Sequence, residues 1–352
     1  MINIINKVEN MHNSEVVTNS TNNSIQILYP PKLKKWDNIR VIAPSRSLKL
    51  LWNDSINIAL KNLQDFWFNI SFWKNVNESD EFYSSSVKSR IDDLHEAFLD
   101  KNIQWIFTVI GWYNSNQLLD YIDYEIIKNN PKVLCGFSDI TALSNAIFQK
   151  TWLVWYSWPH FSSWWMKKWF EYTKEYFEKC CMQEWPYDIL PAKEWSDDPW
   201  YIDQENRDFI LNEWYWIFNH WKAEGIIIGG HAFTFNSLFW TEYIPNIHKD
   251  LIIFYENNWE FNAQMFDKNL QTLIQQSWFK YVKWIIIGRF QKNVNINKKI
   301  LEKIIKSKEK LQNIPIIWNI DFWHTTPFFT FPIGWSWILD TTRKKVVNIL
   351  KH

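Results

Sequence analysis

Apolar and polar positions divide the chain into two regular stretches joined by an irregular one. From Asn38 to about Gln149, short apolar runs alternate with amphipathic segments. Arg40–Pro44 reads as a short buried strand, Asp54–Phe66 as a helix and Asn69–Phe72 as a second strand. Val87, Ile91, Leu94 and Phe98 recur at helical spacing. Ile106–Ile110 is apolar on both faces, as a central parallel strand requires. Val133–Cys135 is another such run, and Ile140, Leu143 and Ile147 mark the helix that follows it. Strand–helix alternation of this kind predicts a parallel sheet covered by helices.

Residues 161–222 are aromatic and charged, hold Pro186, Pro191 and Pro199, and show little periodicity. They read as a connecting segment of short helices and loops. Strands return at Ile226–Ile228, Leu251–Tyr255, Ile285–Ile287 and Ile316–Ile317, with a helix near Asp267–Gln276. The basic stretch Lys298–Lys310 reads as a solvated helix face. The expected organisation is a leader over 1–24, an α/β domain over 25–160, a connector over 161–222 and a second α/β domain over 223–352.

Composition changes this picture in one respect. The chain holds 26 tryptophans and seven glycines, whereas glycine at its usual share would number about 25. The tryptophans also stand where backbone chemistry asks for glycine: Trp36 before the first strand, Trp112 after Gly111, Trp335 after Gly334. This is the composition expected when UGA encodes glycine but is read as tryptophan. With about four genuine tryptophans, glycine returns to its ordinary share. Positive φ, or an indole forced outward, is then expected at several of Trp36, Trp112, Trp158, Trp240, Trp323 and Trp335. Trp195, Trp200 and Trp216 should have ordinary backbones. The competing reading is a truly tryptophan-rich, non-catalytic protein that stacks ligands or glycans.

Charge and cysteine content narrow the class. Lys+Arg and Asp+Glu number 38 each, so no net field favours a nucleic-acid polymer or an anionic membrane. Cys135, Cys180 and Cys181 offer no disulfide framework, which fits a reducing cytoplasm. Residues 1–24 lack the basic start and apolar core of a signal peptide and read as a disordered leader. No apolar run reaches the length of a membrane span.

Candidate chemistry lies at strand ends. Gly136-Phe137-Ser138-Asp139-Ile140 falls between a strand and a helix, where a serine on a sharp turn is exposed beside a free amide at a helix N-terminus. The amide of Asp139 could then stabilise an oxyanion. Ile140 stands where an ordinary hydrolase elbow has glycine, and a plain N-cap serine fits the same local pattern. Glu256 closes the strand Leu251–Tyr255, where it could orient a histidine or be only a solvated loop acid. His324 lies in the loop Asp321–Pro327, and a lone loop histidine is often structural. Metal-ligand spacing, a Walker loop and a dinucleotide fingerprint are all missing from the sequence.

With glycine at Trp112, the run Ile110–Asn116 resembles the Gly-Gly-Tyr motif of the LD-carboxypeptidase family of serine peptidases. Pro131–Leu143 is similar to that family's nucleophile block, Gly225–Gly230 with Thr241–Tyr243 to its second-domain entry, and Phe254–Glu256 to its acid-bearing strand. Asp321–Thr326 and Phe331–Gly334 resemble its histidine loop. Tyr156–Phe161 and the long middle segment look most like the microcin C immunity branch. The likeness spans about residues 32–348. It implies an N-terminal parallel α/β, Rossmann-like domain and a C-terminal β-barrel-like α/β domain. It also implies a Ser138–Glu256–His324 triad and an oxyanion hole from the amides of Asp139 and Trp112. The activity implied is metal-independent and cofactor-free. The implied substrate is a small peptide or a peptidyl-nucleotide; a homodimer is allowed, and neither a nucleic-acid polymer nor a membrane is a partner. His231 departs from the pattern, since asparagine is expected after the Gly-Gly pair.

Overall fold

The computed structural model describes residues 26–350 except 169, 323 and 344, so the expected leader lies outside the described residues. The first sheet is built from β1 (Asn38–Ile42), β2 (Asn69–Phe72), β3 (Trp105–Thr108), β4 (Val133–Gly136) and β5 (Trp155–Ser157). All pair in parallel, in the order β5-β4-β3-β1-β2. Helices α1 (Asn53–Asp65), α2 (Val87–Leu99), α3 (Tyr124–Asn129) and α4 (Thr141–Thr151) make the crossovers. Every residue of β3 and β4 is buried, which explains why their sequences are apolar on both faces. In α2, the periodic Ile91, Leu94 and Phe98 form the buried face.

Beyond β5 come α5 (Glu171–Cys181), β6 (Tyr187–Ile189), a small pair of β7 (Glu194–Trp195) with β8 (Ile210–Leu211), and β9 (Trp216–Phe218). The second half has β10 (Lys222–His231), α6 (Ala232–Ser237), β11 (Leu251–Glu256), α7 (Ala263–Ile274), β12 (Val282–Gly288), α8 (Lys298–Lys306) and β13 (Ile316–Ile320). It ends in β14 (Phe331–Ile333), β15 (Ser336–Asp340) and β16 (Val347–Ile349). Its eight-stranded mixed sheet runs β6-β16-β15-β10-β11-β12-β13-β9, with β10 to β13 parallel. The chain is thus mixed α/β with two sheets rich in parallel strands. The basic stretch forms α8, which buries Leu301, Ile304 and Ile305 on its inner face.

The two halves interlock more than the expected boundaries imply. The connector supplies both edge strands of the second sheet, β6 and β9, each three residues long and too short to show a period. β14 returns to the first sheet, pairing antiparallel with β5. Phe148 of α4 packs in the second sheet's core. Asn145 of the same helix donates from Nδ2 to the Gly229 carbonyl of β10 at 2.8 Å.

The backbone bears on the tryptophan excess. Of ten non-glycine residues with positive φ among those described, five are tryptophans: Trp36, Trp67, Trp152, Trp158 and Trp214. Trp36 and Trp158 were expected there; Trp112, Trp240 and Trp335 are not in that region, and Trp323 lies outside the described residues. Trp112 and Trp240 instead turn their indoles outward, Trp240 being 86% exposed. Trp195, Trp200 and Trp216 have no positive φ. Trp105, Trp155, Trp164, Trp284 and Trp337 are fully buried, and their indole N–H groups meet no acceptor among the described residues. A buried indole N–H ordinarily finds one.

Candidate active site

β4 ends at Gly136, and the chain turns sharply into a 3-10 turn, Ser138–Ile140, that leads into α4. Ser138 sits at the turn with φ of +62°, a strained conformation for a residue with a β-carbon. Strain of this kind persists where the surroundings impose it, as at a nucleophile elbow. Gly111 passes directly against the turn. A β-carbon there would lie 3.0 Å from Ser138 Cβ and 3.1 Å from the Asp139 nitrogen. Only glycine permits this approach, and it brings the next residue, Trp112, beside the elbow. The amides of Trp112 and Asp139 donate to no group among the described residues.

The Asp139 side chain is structural. Its buried carboxylate accepts from Ser45 Oγ at 2.7 Å and from the Ser115 amide at 2.9 Å. Burial pushes its pKa up, and these bonds with nearby Arg90 oppose that shift. A second tie comes from His160, which is also buried. The Gly111 N–H donates to His160 Nε2 at 3.0 Å, so Nδ1 carries the ring proton toward Thr108 Oγ1, 2.8 Å away. Thr108 Oγ1 then donates to the Cys135 carbonyl at 3.1 Å. Burial drives this imidazole well below its usual pKa, so it stays neutral and acts as a fixed acceptor. The sequence showed His160 only as part of a motif, with no role attached.

Ser138, Trp112 and His324 line one cleft of about 1050 Å³, and His324 reaches it from the loop after β13. The His324 and Phe137 ring centres are 5.9 Å apart. Burial, with His231 nearby, pushes the His324 pKa down to about 3. Asp321 anchors that loop: it pairs with buried Arg289 at 2.6 Å and accepts from the Ala192 amide at 2.7 Å.

Glu256 ends β11 and does not line the cleft, although Asn258, two residues on, does. Its carboxylate is buried, Oε2 has no hydrogen bond among the described residues, and burial pushes its pKa well up. His231 lies opposite Glu256 in the β10–β11 register. Its Nδ1 is 2.9 Å from Thr234 Oγ1, and burial pushes its pKa down to about 4. The region therefore disfavours an isolated charge of either sign. A carboxylate–imidazolium pair is the charged form it could hold. No cluster of three or more metal-ligating side chains occurs among the described residues.

The sequence profile of the LD-carboxypeptidase N-terminal domain matches residues 39–157, and that of the C-terminal domain matches 224–339. The chain belongs to the LD-carboxypeptidase family. It is accordingly a serine-type peptidase of the carboxypeptidase kind. YocD of Bacillus subtilis (strain 168), named as a carboxypeptidase, is 47% identical over 307 residues, 87% of this chain and 94% of its own. The crystal structure of an MccF-like protein from Bacillus anthracis superposes with a TM-score of 0.90 at 48% identity, covering 92% of this chain and all of the other. The microcin C7 self-immunity protein MccF, solved in complex with aspartyl sulfamoyl adenosine, has a TM-score of 0.83 at 25% identity, covering 92% and 99%. No helix among the described residues is long and apolar enough to cross a membrane.

Proposed function

We propose that this chain hydrolyses an amide bond next to a small leaving group, with Ser138 as nucleophile, His324 as base and Glu256 as the imidazole's orienter. The observation that carries the reading is the strained elbow at Ser138, with Gly111 closed against it and His324 across the same cleft. Ser138 Oγ attacks the carbonyl carbon while His324 takes its proton. The amides of Trp112 and Asp139 receive the oxyanion. His324 then protonates the leaving nitrogen as the C–N bond breaks, and water hydrolyses the acyl-enzyme by the same route. Imidazolium formation is where Glu256 matters, since its carboxylate offsets a charge that burial opposes.

The favoured substrate is an aminoacyl- or peptidyl-nucleotide. Likeness to the MccF complex supports it, as do Trp200, one of the tryptophans read as genuine, and Tyr201 on the cleft, on which a base can stack. The terminal L,D-bond of a murein tetrapeptide is the second reading. Three free cysteines accord with work in the cytoplasm. The test is an assay on aspartyl sulfamoyl adenosine and on murein tetrapeptide. Ser138→Ala should lower kcat by about 10⁶-fold and Glu256→Gln by about 10⁴-fold, both with retained folding. Unchanged turnover in Ser138→Ala would reject the nucleophile.

A further inference from the structure

Arg46 follows β1 in the loop that the Ser45–Asp139 hydrogen bond ties to the elbow. Its guanidinium lies over the Trp112 ring at 4.2 Å, with Tyr83 beyond at 5.5 Å. Both residues of the Ser45–Arg46 dipeptide thus touch a residue of the oxyanion hole. Among the described residues lining the cleft, Arg46 is the only lysine or arginine.

No carboxylate among the described residues pairs with this charge. Arg46 forms no ion pair among the described residues, and its buried Nε has no hydrogen-bond acceptor. Four acids line the same cleft, and three are engaged elsewhere. Asp197 pairs with Lys292 at 3.1 Å. Asp198 accepts from Ser196 Oγ at 3.1 Å and from the Asp208 amide at 2.6 Å. Glu260 accepts from Asn258 Nδ2 at 3.0 Å. The fourth, Glu81, is solvent-exposed. A half-buried guanidinium with unused donors is costly unless something pairs with it.

We infer that Arg46 is a specificity-determining residue, binding an anion carried by the substrate's leaving group close to the scissile nitrogen. This rests on the hydrolase reading above and adds the chemical class of the group recognised. The two candidate substrates share that chemistry. In a peptide ending in a free carboxylate, the anion sits one carbon from the scissile nitrogen. In an acyl sulfamate or phosphoramidate, the sulfonyl or phosphoryl group is bonded to the nitrogen itself. Arg46, beside the hole that takes the carbonyl oxygen, can meet either one, and a planar guanidinium suits both.

The experiment pairs binding with turnover. Calorimetry on the Ser138→Ala protein measures affinity for aspartyl sulfamoyl adenosine, for murein tetrapeptide, and for that tetrapeptide with its terminal carboxylate converted to carboxamide. Adding Arg46→Ala should weaken binding of the anionic ligand by about 10- to 100-fold. Arg46→Lys should restore part of the loss, and the carboxamide should not respond. Whichever anionic ligand responds identifies a carboxylate or a sulfamate as the natural anion. Equal losses on acid and amide, no loss on either, or no binding of any ligand would overturn the role of Arg46. Turnover by the chain with Ser138 intact is read separately. Acid-selective binding without cleavage rejects the hydrolase reading and leaves Arg46 standing; cleavage with binding insensitive to Arg46 does the reverse.

Discussion

At Ser138 a single backbone angle separates a nucleophile elbow from an ordinary helix cap, since a plain N-cap residue takes an extended conformation, not +62°. Local sequence allowed both. Gly111, closed against the turn, supports the elbow reading proposed above. His231 shows another effect that residue type alone hides. It pairs with Glu256 in the strand register, and burial pushes its imidazole toward the neutral form, although asparagine is the residue the family resemblance leads one to expect. An unfolded histidine titrates near 6.5 and this one near 4. Between those values the unfolded chain binds a proton that the folded chain refuses, so the native protein loses stability as pH falls from about 6.5 to 4. His231→Asn removes that term. Denaturant melts across this range should show the variant gaining on the native chain by about 3 kcal/mol in all, levelling below pH 4. A constant difference between the two proteins would mean that His231 is not held neutral.

Helix ends explain the oddest feature of the composition. α1 closes with the Trp67 amide bonded to the Gln64 carbonyl at 2.7 Å and the Phe68 amide to the Leu63 carbonyl at 3.3 Å. That paired pattern puts residue 67 in the left-handed region, where glycine is the usual occupant. Trp67 takes it at φ +70°, and Trp152 does the same after α4 at φ +60°. The left-handed form costs a residue with a β-carbon about 1–2 kcal/mol. Trp67 is half exposed, so little packing offsets that cost. Trp67→Gly should therefore stabilise the protein by about 1 kcal/mol, read as a higher urea midpoint at constant slope. A lower midpoint would show that the edge contact with Trp36 and the Lys35 cation–π contact outweigh the strain.

Across the whole molecule, the cleft exists because the two sheets are locked in register. Ser138 follows a strand of the first sheet, the His324 loop follows a strand of the second, and Glu256 ends another strand of the second. Asn145, in the helix that follows the elbow, links the two halves through Gly229, two residues before His231. Asn145→Leu would leave the Gly229 carbonyl buried without its side-chain donor. The expected result is a loss of about 1–3 kcal/mol in stability and a fall in kcat larger than any change in KM, because His324, the proposed base, shifts relative to Ser138. A stable variant with native kcat would mean that β14 and the shared core hold the two halves unaided.

Sequence alone determined the elements whose period outlasts local noise. β1 to β4, α2, β10 to β13 and the strand ends carrying Ser138 and Glu256 follow from continuous apolar runs and helical spacing, and the family motifs name the same residues. Only the tertiary structure decided the rest, because the deciding contacts join residues far apart in the chain. The edge strands β6 and β9 are too short to carry a period and form only when a neighbour offers free backbone groups. β14 lies in a stretch known beforehand only by its likeness to the histidine loop, and it crosses to pair with β5 of the first sheet. His160 becomes the clamp on Gly111 only across 49 residues of sequence. Arg46 is one more loop cation until the fold sets it in the cleft with no ion pair among the described residues. A spacing rule reads neighbours a few positions apart, whereas burial and unpaired charge depend on what the rest of the chain brings to the same place.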